Sequence, residues 1–140
     1  MTRAKDHVGR FDAAPVNRFL GFRIVSRSGT EAVLCMEARP EFVQEGGVVH
    51  GGMLTSLADT AAVCVLFPEL PSDRMMTSIE FKVNFLRPAI PDRGPITARA
   101  RLIQRGRQIG VCDVEVSQAK KPVARGMFTY LFFRREERDA

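Results

Sequence analysis

Residues 51–67 carry apolar side chains at helical spacing: Leu54, Leu57, Ala58, Ala61 and Val65 fall on one stripe. After Asp59 the chain runs Thr-Ala-Ala-Val-Cys-Val-Leu-Phe, which leaves no solvated face. The pattern predicts a helix buried nearly all round, ended by Pro68 and Pro71. Elsewhere the period is two. Ala32, Leu34, Met36 and Ala38 alternate against Glu31 and Glu37. Ile79, Phe81, Val83 and Phe85 alternate against Ser78, Glu80, Lys82 and Asn84, and Ile96, Ala98, Ala100 and Leu102 against Thr97, Arg99 and Arg101. Residues 21–29, 109–117 and 122–133 read as further strands, with Gly106 at the tip of a hairpin over 104–108. A short helix is expected at 15–20, with Pro15 at its start.

The order is therefore two strands, one long helix and four strands. Most strands are joined by short turns, so the sheet should be mostly antiparallel with one apolar face, and only the long helix is large enough to cover that face. The expected class is α+β: a curved sheet of about six strands wrapped around one long central helix. Residues 1–140 are expected to be one domain, with 1–14 and 134–140 as mobile tails.

Composition narrows the chemistry. Cys35, Cys64 and Cys112 lie in apolar contexts, without CxxC or Cys/His metal spacing, and their odd count speaks against a disulfide framework. They read as buried free thiols, and no metal site is expected. The N-terminal stretch is charged and lacks the apolar core of a secretion signal. Pro68 stops the longest apolar run short of the roughly 18 residues of a membrane span. A cytoplasmic protein, off the membrane, is the expectation. The net charge of +5 suits nucleic acid, an anionic surface or a phosphate-rich small ligand. However, the arginines are spread along the chain, Trp is absent and Tyr occurs once. That leaves little support for a nucleic-acid stacking platform, and a phosphorylated ligand or simple solubility fits better.

Asp59 is the anomaly. Three and four residues away stand Thr55, Ser56, Ala62 and Val63, so no cation is available within the helix. Burying an unpaired carboxylate costs several kcal/mol, as an order of magnitude, so either a partner arrives from elsewhere or the acid faces a cleft. A distant Arg or a backbone N–H would make it structural; a ligand cleft would make it a base or nucleophile. Just before the helix, His50, Gly51 and Gly52 form a second candidate. Glycines at a helix start allow close backbone approach, and the first-turn N–H groups lack intrahelical partners and can polarise a carbonyl, although Gly-Gly is also a common turn. Gly51 and Asp59 are separated by roughly 12 Å of helix axis. One carbonyl cannot touch both groups on one chain, but two helices running antiparallel across a dimer could bring them together.

The stretch HGGMLTSLADTAA, followed by TSIEFKVNFLRPA, closely resembles the hotdog-fold acyl-CoA thioesterases of the phenylacetate-degradation (PaaI-like) type. The likeness runs from about residue 15 to 133 and includes the Arg-Gly-Arg turn at 105–107. It implies a homodimer with two sheets joined edge to edge, assembled further as a dimer of dimers, with two sites at each interface. The resemblance assigns the carbonyl-polarising N–H to Gly51 and the nucleophile or general base to Asp59 of the partner chain. Gln44, six residues before the His, would orient the thioester or water. Ser78 would contact the acid or the water, with Thr77 as its alternative. His50 would mainly shape the loop beside Gly52. Arg87, Arg105, Gly106 and Arg107 would meet the phosphates of coenzyme A, which enters as part of the substrate; no other cofactor is implied. The acyl group would be small and aromatic or of medium to long chain. Two other functions compete: a non-catalytic acyl-CoA-binding or sensing module, and a hotdog dehydratase. The dehydratase would need a different Asp/His arrangement, and the other histidine is His7, near the N-terminus.

Overall fold

The computed structural model describes residues 6–138. Its elements are α1 (His7–Ala13), α2 (Pro15–Leu20), β1 (Arg23–Arg27), β2 (Glu31–Met36), α3 (Gly51–Leu66), β3 (Arg74–Phe85), β4 (Ile96–Arg105), β5 (Ile109–Gln118) and β6 (Lys121–Arg134). The six strands make one sheet in the order β1-β2-β4-β5-β6-β3, and every neighbouring pair is antiparallel. Helix α3 lies across the apolar face, against β2, β4 and β5. This is the α+β arrangement expected from the pattern, with two strands before the long helix and four after it.

Small side chains let the helix sink into the sheet. Ala58, Ala61 and Ala62 of α3 and Ala32, Ala98 and Ala100 of the sheet are all buried in one core. Leu54, Leu57, Val65 and Leu66 fill the space around them, each burial contributing about 1.5–3 kcal/mol. The helix gives way to a 3₁₀ turn at Phe67–Glu69, where Pro68 has no N–H to continue the ladder. The last turn of α3 contains no basic residue, and cations come from the sheet instead. Arg27 Nε donates to Cys64 O at 2.8 Å, and Arg105 Nη2 donates to Val65 O at 3.1 Å, opposite the negative end of the helix dipole. The 19-residue span Gly51–Glu69 is long and apolar enough to cross a bilayer by length and composition. Here it is the core helix, with its buried side under its own sheet.

Three features depart from the expected pattern. The first is at the N-terminus. Part of the expected tail over 1–14 is helix α1, with His7 and Phe11 buried, and Asn17 Nδ2 holds it to α2 through Phe11 O at 3.1 Å. At the other end, Arg135–Arg138 form a 3₁₀ turn; the remaining tail residues, 1–5 and 139–140, lie outside the described residues. The second is that α3 is not covered all round. Gly52, Thr55, Ser56, Asp59, Thr60 and Val63 form a half-buried strip, because the helix packs over the middle of the sheet and leaves β3 uncovered. Strand β3 is accordingly an edge, with Ile79, Phe81 and Phe85 each just over half exposed. The third is a bulge in β3. Ser78 pairs with Tyr130 and Glu80 with Thr129, so Ile79 is an extra residue. Strict alternation places Ser78 and Phe81 on opposite faces. The bulge resets the parity, so both lie on the helix side of the sheet, where Phe81 pairs with Phe128.

Candidate active site

The loop into α3 is stitched to the loop leaving β3. Val49 N donates to Ala89 O at 2.8 Å and His50 N to Phe42 O at 2.7 Å. Gln118, buried at the end of β5, holds the same region by bonding Ile90 N, Ile90 O and Gly94 O. His50 is the N-cap of α3, and its Nδ1 accepts from Gly52 N at 2.8 Å. The bond fixes the turn by which the loop enters the helix. It also occupies the Gly52 amide, whereas Gly51 opens the helix with an N–H that has no intrahelical acceptor.

Two clefts flank the ring of Phe85. One, of about 490 Å³, is lined by Gln44, Gly51, Leu54, Arg87 and neighbouring loop residues. The other, of about 500 Å³, lies between α3 and β3 and is lined by Gly52, Thr55, Ser56, Asp59, Phe81, Val83 and Phe85. One protomer therefore places Gly51 and Asp59 in separate clefts, with Phe85 between them. The structure brings Gln44 and Arg87 to Gly51. Gln44 Oε1 accepts from Gly46 N within its own turn, and Arg87 Nη1 donates to Pro122 O at 3.0 Å.

Among the described residues no cation pairs with Asp59. Its partner is the hydroxyl of Tyr130, which donates to Oδ1 and lies 3.1 Å from the Asp59 main-chain oxygen. The hydroxyls of Thr55, Ser56 and Thr60 instead turn back to helix carbonyls, each at 2.8 Å. Tyr130 is buried in β6, and burial first, then the Asp59 charge and hydrogen bond, push its phenol well above the usual tyrosine range. It stays protonated, and it can only donate to the carboxylate. Ser78 pairs with Tyr130 across the sheet, on the side that faces Asp59. Thr77 pairs with Leu131 and points to the other face.

The remaining sequence candidates lie elsewhere within one protomer. Arg105 bonds Gly29 O and Val65 O, near the C-terminal end of α3 and roughly 20 Å along the helix from Gly51. Gly106 and Arg107 line a third cleft of about 580 Å³ at the β4–β5 turn, together with Arg74, Gln104, Gln108 and Ile109. Sequence reasoning misses Tyr130 and Phe85. Tyr130 is the chain's one tyrosine, at an inward position of the last strand, and a buried phenol needs a hydrogen-bond partner.

Comparison with known proteins gives the family. The Thioesterase superfamily matches residues 46–124, which hold the His50 cap, Gly51, Asp59 and β3. The acyl-coenzyme A thioesterase PaaI of Escherichia coli is 33% identical over 75% of this chain and 73% of its own. A 1,4-dihydroxy-2-naphthoyl-CoA hydrolase of Listeria monocytogenes is 29% identical over 70% of this chain and 78% of its own. The solved structure of the E. coli PaaI protein superposes with a TM-score of 0.82 at 26% identity, covering 92% of this chain and 91% of that one. On these grounds the chain belongs to the thioesterase superfamily, with the hotdog fold and close similarity to the PaaI proteins.

Proposed function

We propose that this protein hydrolyses the thioester of an acyl-coenzyme A, in sites built from two copies of the chain. The observation that carries this reading is Asp59: a carboxylate without a cation, bonded to a neutral phenol and open to an apolar cleft. Structural acids in a core are paired with cations or backbone donors, so this arrangement favours chemistry. Two relatives named for acyl-CoA hydrolysis give the reaction class.

The separation of Gly51 from Asp59 supports a shared site. Strand β3 is a twelve-residue edge with exposed apolar side chains, the kind of edge that pairs with another strand. A two-fold dimer through β3 sets the α3 helices antiparallel, with Gly51 of one facing Asp59 of the other. The same register brings the C-terminal end of one α3, with its β4–β5 turn, toward the other chain's Gln44 loop. Arg107 then stands near the mouth of the site, where the phosphates of coenzyme A enter.

The Gly51 N–H receives the thioester oxygen and stabilises the negative charge that develops on it. Asp59 delivers the attack on the carbonyl carbon, either with its own oxygen or by taking a proton from water. A C–O bond forms, the C–S bond breaks, and the sulfur leaves as the coenzyme A thiolate, which takes up a proton derived from water; where the Asp59 oxygen itself attacks, water then hydrolyses the mixed anhydride and frees the acid. Phe81, Val83 and Phe85 line the Asp59 cleft and suit an aryl or alkyl group.

Thiol release from aryl-acetyl, benzoyl, short-chain and long-chain acyl-CoAs tests the proposal, with Asp59→Asn as the paired variant. Hydrolysis of at least one class, reduced about 10³-fold or more in the variant, is expected. Tight binding of acyl-CoA without turnover would favour a sensing module.

A further inference from the structure

We propose that Tyr130 is the positioning residue for Asp59, holding Oδ1 so that Oδ2 alone is presented to the cleft. The inference deepens the thioesterase reading and rests on it. It starts from the surroundings of the carboxylate. The helix hydroxyls near Asp59, those of Thr55, Ser56 and Thr60, are turned to their own i−4 carbonyls. Among the described residues the hydrogen bond to the carboxylate comes from Tyr130, across from the helix on β6. The ring is 1% exposed, so the sheet fixes the hydroxyl in place. The hydroxyl also lies 3.1 Å from Asp59 O, beside the backbone that carries the acid.

A carboxylate tied at one oxygen has lost rotation about its last torsion, so the free oxygen is already aimed when substrate arrives. A tyrosine suits this task because it remains neutral in the buried site. A cation there would pair with the acid more strongly and blunt its attack. Ser78, paired with Tyr130 on the same face, places a second hydroxyl on that side.

The test is Tyr130→Phe, which removes one oxygen and keeps the ring. Thiol release should show kcat reduced about 10- to 100-fold with KM little changed. A merely structural role for the hydroxyl would not lower kcat while leaving KM in place. A second measurement needs no turnover. Tyr130 is the chain's single tyrosine, so 3-fluorotyrosine labels this position alone. Its ¹⁹F resonance should shift in Asp59→Asn, which changes the acceptor of the Tyr130 hydroxyl. Wild-type kcat in Tyr130→Phe, or a ¹⁹F signal indifferent to Asp59→Asn, would overturn the assignment. An inactive Asp59→Asn beside a fully active Tyr130→Phe defeats this inference alone. A fully active Asp59→Asn defeats the thioesterase reading and this inference with it.

Discussion

Phe85 packs so closely over Gly51 that a Cβ on residue 51 would lie 2.8 Å from the ring's Cζ. The ring divides the surface of one protomer into a Gly51 cleft and an Asp59 cleft. In the proposed shared site, a thioester held at Gly51 meets Asp59 of a second copy of the chain.

Gly51→Pro removes the N–H that would polarise the carbonyl while keeping the helix start. Proline is favoured at the first helical position, and the preceding His50 already has φ −59° and ψ 133°, as a residue before proline requires. The half-exposed Phe85 ring can swing aside. The melting temperature should change little, and kcat should fall about 10²- to 10³-fold, the loss expected for one oxyanion donor. Near-normal turnover would remove Gly51 from the mechanism.

Arg105 and Arg107 should separate. Arg105 is committed to the carbonyls of Gly29 and Val65, so Arg105→Ala should cost about 1–2 kcal/mol of stability in denaturant titration. Arg107 lines an open cleft. Arg107→Ala should leave stability unchanged and raise KM for acyl-CoA severalfold, with a weaker dependence on salt. The reverse pattern would contradict the roles assigned to the hairpin.

His7 gives the fold a pH dependence. It is buried in α1, its Nε2 has no partner among the described residues, and burial first, then Arg27, lower its pKa from about 6.5. The unfolded chain therefore binds this proton more readily than the folded one. The contribution is present above the unfolded pKa and is lost as pH falls below it toward the depressed folded value. Melting temperature should drop between pH 7.5 and 5.5, and His7→Leu should flatten that drop. Equal slopes in both proteins would exclude His7 as the cause.

Much of the fold was legible because helical and strand periods are clear in this chain. Pro68 marked the end of α3, and the alternation at 96–102 identified the buried face of β4. The bulge at Ile79 was not legible, since one extra residue leaves the local pattern alternating while turning Ser78 to the other face. Helix α1 was missed because seven residues around one buried phenylalanine carry too little periodicity. In the site, the anomaly of Asp59 and the glycines before it pointed to residues that line two clefts of the protomer. Tyr130 lies 71 residues away from Asp59, and only the β6 register brings it to the acid. Arg105 is held by the Val65 carbonyl, 40 residues away in the chain, a contact that local pattern does not reveal.

The shared site can be tested by mixing two inactive variants, Gly51→Pro and Asp59→Asn. Each homodimer lacks one group at both of its sites. A hybrid dimer has one site with both groups intact and one with neither, because a two-fold interface pairs each position with its counterpart on the other chain. After subunit exchange, confirmed by native mass spectrometry, thiol release should recover to about a quarter of wild type, since half of the dimers are hybrids with one working site. A fully exchanged mixture that stays inactive would contradict a site built from Gly51 of one chain and Asp59 of the other.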